Sequence, residues 1–207
     1  VDFFSLPCKI RDDIYNRVLV IPYQLHLFQD TTSRVETFAP ERPREWLALL
    51  YTNRQMRREA SAILYKVNIF DLMDTTQQPF DLLKDFLNQV GPVNAGSLSH
   101  VCISLPVIEG QPGNFQLRED GSQNLKLLQK QCTGLATLEF HIYSSRSSTF
   151  PKADQGDFKF VQKMLKYLEL QLKVIPSLEK VIIRIYDRTL PSPVIDIMKG
   201  FGWIVLR

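Results

Sequence analysis

The chain has 207 residues, 44% of them hydrophobic and 23% charged, which fits one domain, or two small ones in close contact, and excludes a disordered chain. Lys and Arg number 25 against 22 Asp and Glu, and the two signs balance within the first 74 residues, so no basic footprint marks a nucleic-acid partner. No apolar run approaches the roughly 18 residues of a membrane span, so no membrane association is expected. Three widely spaced cysteines, Cys8, Cys102 and Cys132, form no CxxC pair and point to a reducing, intracellular setting, cytoplasmic or nuclear. The first residues carry neither a basic n-region nor a small-residue cleavage site, so no targeting peptide is expected.

In chain order, residues 5–19 read as a helix of about three turns, with Ser5 as its cap and Pro7 in its first turn. Leu6, Ile10, Ile14 and Val18 recur every fourth residue and form an apolar stripe that must find cover, within the chain or on a partner. Residues 23–38 alternate around a polar turn at 30–33, the pattern of a β-hairpin. A second helix is expected over 44–66, with Leu49, Met56, Ala60, Ile63 and Leu64 as core positions, and a short strand over 68–70. Arg57 in that helix is a candidate to reach inward and tie it to the first helix through Asp12.

The remainder contains an internal repeat. Leu98-x-x-Val101-x-Ile103, Leu135-x-x-Leu138-x-Phe140-x-Ile142 and Leu178-x-x-Val181-x-Ile183-x-Ile185 share the pattern LxxLxL, and amphipathic helical stretches precede them at 80–90, 124–132 and 158–175. Parallel strands joined through helices predict a one-layer sheet backed on one face, closed by a fourth strand over 203–206. The leading leucines lie further apart than the roughly 20–29 residues of regular leucine-rich repeats. The expected fold class is therefore α/β: an α+β N-terminal module of helix, β-hairpin and helix (1–74) packed on an irregular leucine-rich-repeat-like region (75–207). Three loops rich in Pro, Gly or Ser, at 106–121, 144–157 and 187–193, are expected along one edge of the sheet, where such folds place recognition.

On this register the polar sheet face displays His100, Cys102 and Ser104 beside Thr137, Glu139 and His141, then Lys180, Ile182 and Arg184. Adjacent strands would set Cys102 opposite Glu139 and His141 between Ser104 and Arg184. His100, Cys102, Glu139, His141 and Arg184 are thus a candidate recognition face. Zinc sites announce themselves by paired close ligand spacings, which are absent here, so no metal is assigned. A Cys-His nucleophile needs a base and an oxyanion pocket, and the chain has no GxSxG elbow; it also lacks a P-loop, GxGxxG and HExxH. No catalytic residue and no cofactor are assigned.

The first seventy residues carry a family resemblance. Leu6-Pro7-x-x-Ile10-Arg11-x-x-Ile14-Tyr15, a hairpin, then Asn53-Arg54-Gln55-Met56-Arg57-x-Glu59-Ala60 and Ile63-Leu64-Tyr65 resemble the fungal two-EXR domain, whose members are described as F-box-like. The two tripeptides read Lys9-Ile10-Arg11 and Gln55-Met56-Arg57, so both arginines are present and both glutamates are replaced. The resemblance implies a protein-protein interaction module that is not an enzyme: a ubiquitin-ligase adaptor docking a Skp1-type subunit through Leu6, Pro7, Ile10 and Ile14, with a substrate held by the repeat sheet. Two alternatives remain open at this point, a small-molecule-binding or effector-like module, and a Cys/His-dependent hydrolase or transferase using the strand-end loops.

Overall fold

A computed structural model describes residues 2–29, 34–39, 44–72, 79–143, 157–186 and 190–207. A 3-10 turn at Phe3–Ser5 leads into α1 (Cys8–Leu19), then the hairpin strands β1 (Leu25–Gln29) and β2 (Val35–Phe38), a second 3-10 segment at Arg44–Tyr51, α2 (Arg54–Val67) and β3 (Ile69–Asp71). There follow α3 (Pro79–Ser97), β4 (His100–Ser104), the hairpin β5 (Ile108–Gln111) and β6 (Asn114–Leu117), and α4 (Glu119–Gln131). The chain closes with β7 (Thr137–Ile142), α5 (Phe158–Leu172), β8 (Lys180–Ile185), α6 (Ser192–Gly200) and β9 (Ile204–Leu206).

The protein is α/β. Seven strands form one sheet in the order β2-β1-β3-β4-β7-β8-β9, antiparallel only between β1 and β2. From β3 onward the order advances in one direction, which sends successive helical connections to the same face. The repeat positions stack across the strands as their spacing predicts: Val101 pairs with Leu138 and Leu138 with Val181, while Ile103 pairs with Phe140 and Phe140 with Ile183. These residues join Leu82, Leu87, Leu128, Leu165, Leu168 and Met198 from the helices in one apolar core. Residues on both sides of position 74 contribute to that sheet through the β3–β4 pair.

Several elements depart from the sequence reading. Ser5 does not cap α1: its hydroxyl donates to the Asp2 carbonyl, and Pro7 occupies the N-cap. The helix expected over 44–66 is two pieces, because Asn53 caps a fresh start at α2 by accepting from the Met56 N–H at 2.9 Å. The segment 106–121 holds the β5–β6 hairpin and the start of α4. The helical span α3 runs past Val90 as two pieces meeting at a kink: Gly91, at φ 78°, breaks the first, and Pro92 opens the second. Helix α6, opening on Ser192-Pro193, was not anticipated. The turn expected at 30–33 and the Ser-rich stretch 144–149 lie outside the described residues.

Candidate functional site

Two surfaces carry the residues singled out from the sequence. The first is built by α1. Its inward side is not the apolar stripe: Arg11, Tyr15 and Leu19 are buried, while Pro7 and Ile10 are exposed and Leu6, Ile14 and Val18 are half-buried. The cause is a polar brace between α1 and α2. The Arg11 guanidinium donates twice to the Glu59 carboxylate, Nε to Oε2 at 2.9 Å and Nη2 to Oε1 at 2.8 Å, and once to the Leu6 carbonyl at 2.6 Å. The Tyr15 hydroxyl donates to Glu59 Oε2 at 3.1 Å, and Gln55 Nε2 to Oε1 at 3.0 Å. Such a two-pronged charged pair fixes orientation as well as distance.

The donors, Arg11 first, hold the Glu59 carboxyl down to about 2, and burial, with Glu59 second, pushes the Tyr15 phenol up to about 12. One residue is 100° of helix, so drawing Arg11 inward turns Ile10 outward, where it is 48% exposed. The tie between the helices therefore runs through Arg11 and Glu59. Arg57, expected to make it, is exposed.

The second surface is the polar face of the sheet, which shares no member with either apolar cluster at Cys102, Glu139, His141 or Arg184. Its register is the one the repeat predicts: Cys102 pairs with Glu139, and His141 lies between Ser104 and Arg184. Glu139, 1% exposed, is the hub. Its Oε1 accepts from Arg184 Nε at 2.5 Å and lies 2.9 Å from His141 Nε2, with Gln24 Nε2 at 3.4 Å. Its Oε2 faces His100 Nε2 at 3.2 Å. Burial alone would raise this carboxyl; His100, His141 and Arg184 outweigh it and hold the group below the usual carboxylate range.

One strand away, buried Asp71 pairs in register with Cys102 and meets His26 Nδ1 at 2.8 Å. All three histidines of the chain thus sit on one face, each against a buried carboxylate. That common use has no signature in their spacing along the sequence.

Cys102 is fully buried, and burial followed by the neighbouring Glu139 pushes its thiol up. Its described hydrogen-bond neighbours are Gln24 and Glu139, so His141 is not its base: that ring nitrogen is spent on Glu139. The Nε2 of His100 is likewise directed at Glu139. His100, Cys102 and Glu139 nevertheless bring one ligand atom each to within 4.8 Å of one another.

Two residues of this surface escaped the sequence reading. Tyr143 and Tyr186 follow the last residues of β7 and β8 and stack with centroids 4.7 Å apart and planes 5° from parallel. Both meet the His141 ring edge-on, and both are about half exposed. The available signal was their shared offset, since each follows the final isoleucine of an LxxLxLxI unit, Ile142 and Ile185.

No helix among the described residues is long and apolar enough to cross a membrane. Comparison with known proteins finds no matching family model, curated protein or solved structure.

Proposed function

We propose that the chain is a non-enzymatic protein-interaction module whose first helix docks a Skp1-type adaptor subunit and whose polar sheet face receives the protein to be ubiquitylated. The observation that carries the reading is the outward turn of Ile10, with Pro7 exposed beside it and Leu6 and Ile14 half-buried. These are the four residues at which the F-box-like resemblance expects docking. Apolar residues on a helix braced from behind make a preorganised surface, which lowers the ordering cost of association. At the other end, stacked and half-exposed Tyr143 and Tyr186 offer rigid aromatic anchors of the type that dominate protein interfaces. Binding is favoured over catalysis because the Cys102 thiol is fully buried and the Nε2 atoms of His100 and His141 are both directed at Glu139.

The test is a pull-down of wild type and Ile10→Asp from cytosolic extract, with circular dichroism on both. Recovery of a Skp1-type subunit by wild type alone, with both proteins folded, is the expected result. Equal recovery by a folded Ile10→Asp, or no ligase component on wild type, would overturn the docking assignment.

A further inference from the structure

We propose that His100, Cys102 and Glu139 form a binding site for one zinc-class divalent cation on the polar face of the sheet. Three features carry it. The first is convergence: His100 Nε2, Cys102 Sγ and a Glu139 carboxylate oxygen, drawn from two adjacent parallel strands, lie within 4.8 Å of one another. Register alone sets this up, because His100 and Cys102 are alternate residues of β4 and Glu139 pairs directly with Cys102. The second is orientation. Arg184, His141 and Gln24 all gather on Glu139 Oε1, which leaves Oε2 directed at His100. This is the way outer partners fix a metal-ligating carboxylate. The third is charge: a Cys102 thiolate with Glu139 supplies two negative charges for a divalent ion, and buried Asp71, opposite Cys102, offsets Arg184.

Nitrogen, sulfur and carboxylate donors select zinc and similar ions over magnesium or calcium, which prefer oxygen alone. Bonds of about 2.0–2.3 Å require the donors to close inward. His100, whose side chain is 17% exposed against 1% for Glu139, is the ligand on the solvent side. Binding displaces the Cys102 thiol proton to solvent, requires the His100 Nε2 proton to pass to solvent with the ring then protonated on Nδ1 alone, and leaves the metal's fourth position to water. The hydrogen bond between His100 and Glu139 is then replaced by their shared bond to the ion.

The experiment uses the tag-free full chain, treated with chelator and kept reduced with a non-thiol reductant, titrated with Zn²⁺ and separately with Co²⁺. The expected result is one ion per chain, with a sulfur-to-cobalt charge-transfer band in the Co²⁺ spectrum. Cys102→Ser abolishes the band, and His100→Gln weakens binding beyond the roughly 10–100-fold that loss of an orienting partner costs. Cys8→Ser removes the exposed thiol and changes neither. If Cys102→Ser fails to fold, the band in wild type and the half-buried His100→Gln decide the matter. A folded wild type that binds no stoichiometric ion would overturn the site. So would binding that survives His100→Gln, or that disappears with Cys8→Ser.

Discussion

Glu59 and Glu139 are both shielded carboxylates held by an arginine, and they do different things. Glu59 spends both oxygens: Arg11 takes one with each of two nitrogens, and Tyr15 and Gln55 take what remains. Neither a histidine nor a thiol is among its described hydrogen-bond partners, and Cys8 accepts from Arg11 instead. It is a brace, and its effect is to decide which side of α1 faces solvent. Glu139 divides its oxygens, with Arg184 and His141 on one and His100 on the other, next to a buried thiol. The lesson is that a buried carboxylate becomes a site when one oxygen is held and the other is left facing ligand-type groups.

The comparison is broken most forcefully at Glu139. Glu139→Ala leaves the buried His141 ring and the partly buried Arg184 without their acceptor, and removal of one partner from a buried charged network costs about 3–5 kcal/mol. Urea denaturation measures this, and a loss under about 1 kcal/mol would mean that solvent already screens the cluster. Acid titration sharpens the other half. Because the folded carboxyl of Glu59 is held down to about 2, below the ordinary glutamate value of about 4.3, its contribution is complete above pH 5 and is lost as pH falls through 4 toward 2. The difference in stability between wild type and Glu59→Gln should therefore shrink across that window, and a constant difference would contradict the brace. The smallest expected effect is at the strand ends. Tyr186→Ala forfeits a stacked pair worth about 0.5–1.5 kcal/mol in a half-exposed setting, so the fold survives while protein capture through the sheet face falls. Unchanged capture would remove the tyrosines from the recognition surface.

The β4-β7-β8 part of the sheet was legible because its repeat obeys a period of two: once Leu98, Leu135 and Leu178 are aligned, the order of those strands and the facing of Cys102 and Glu139 follow, whereas nothing in the pattern showed that β1–β3 extend the same sheet. The β5–β6 hairpin was not legible: Phe115 and Leu117 do alternate with exposed Asn114 and Gln116, but each strand is only four residues long and the Pro112-Gly113 turn between them reads as loop. Helix α1 misled for a chemical reason. Its buried series Arg11, Tyr15, Leu19 has the same four-residue step as Ile10, Ile14, Val18, and hydropathy ranks the wrong series inward because it counts arginine as solvent-facing. Only the partner on α2, Glu59, reverses that ranking, and its position opposite Arg11 is a tertiary fact. The linking of three histidines to two carboxylates was hidden likewise, being spread over residues 26–141.

Helix α1 rests on Arg11 and presents Ile10 to solvent. Thermal melts of Ile10→Asp and Arg11→Ala, adjacent residues on one helix, test it most directly. Ile10→Asp should melt close to wild type, because that side chain already meets water, and Arg11→Ala well below it, because Glu59 loses both guanidinium donors and the Leu6 carbonyl loses the third. An Ile10→Asp protein that unfolds while Arg11→Ala melts like wild type would place the apolar stripe in the core and leave Arg11 with no bracing role.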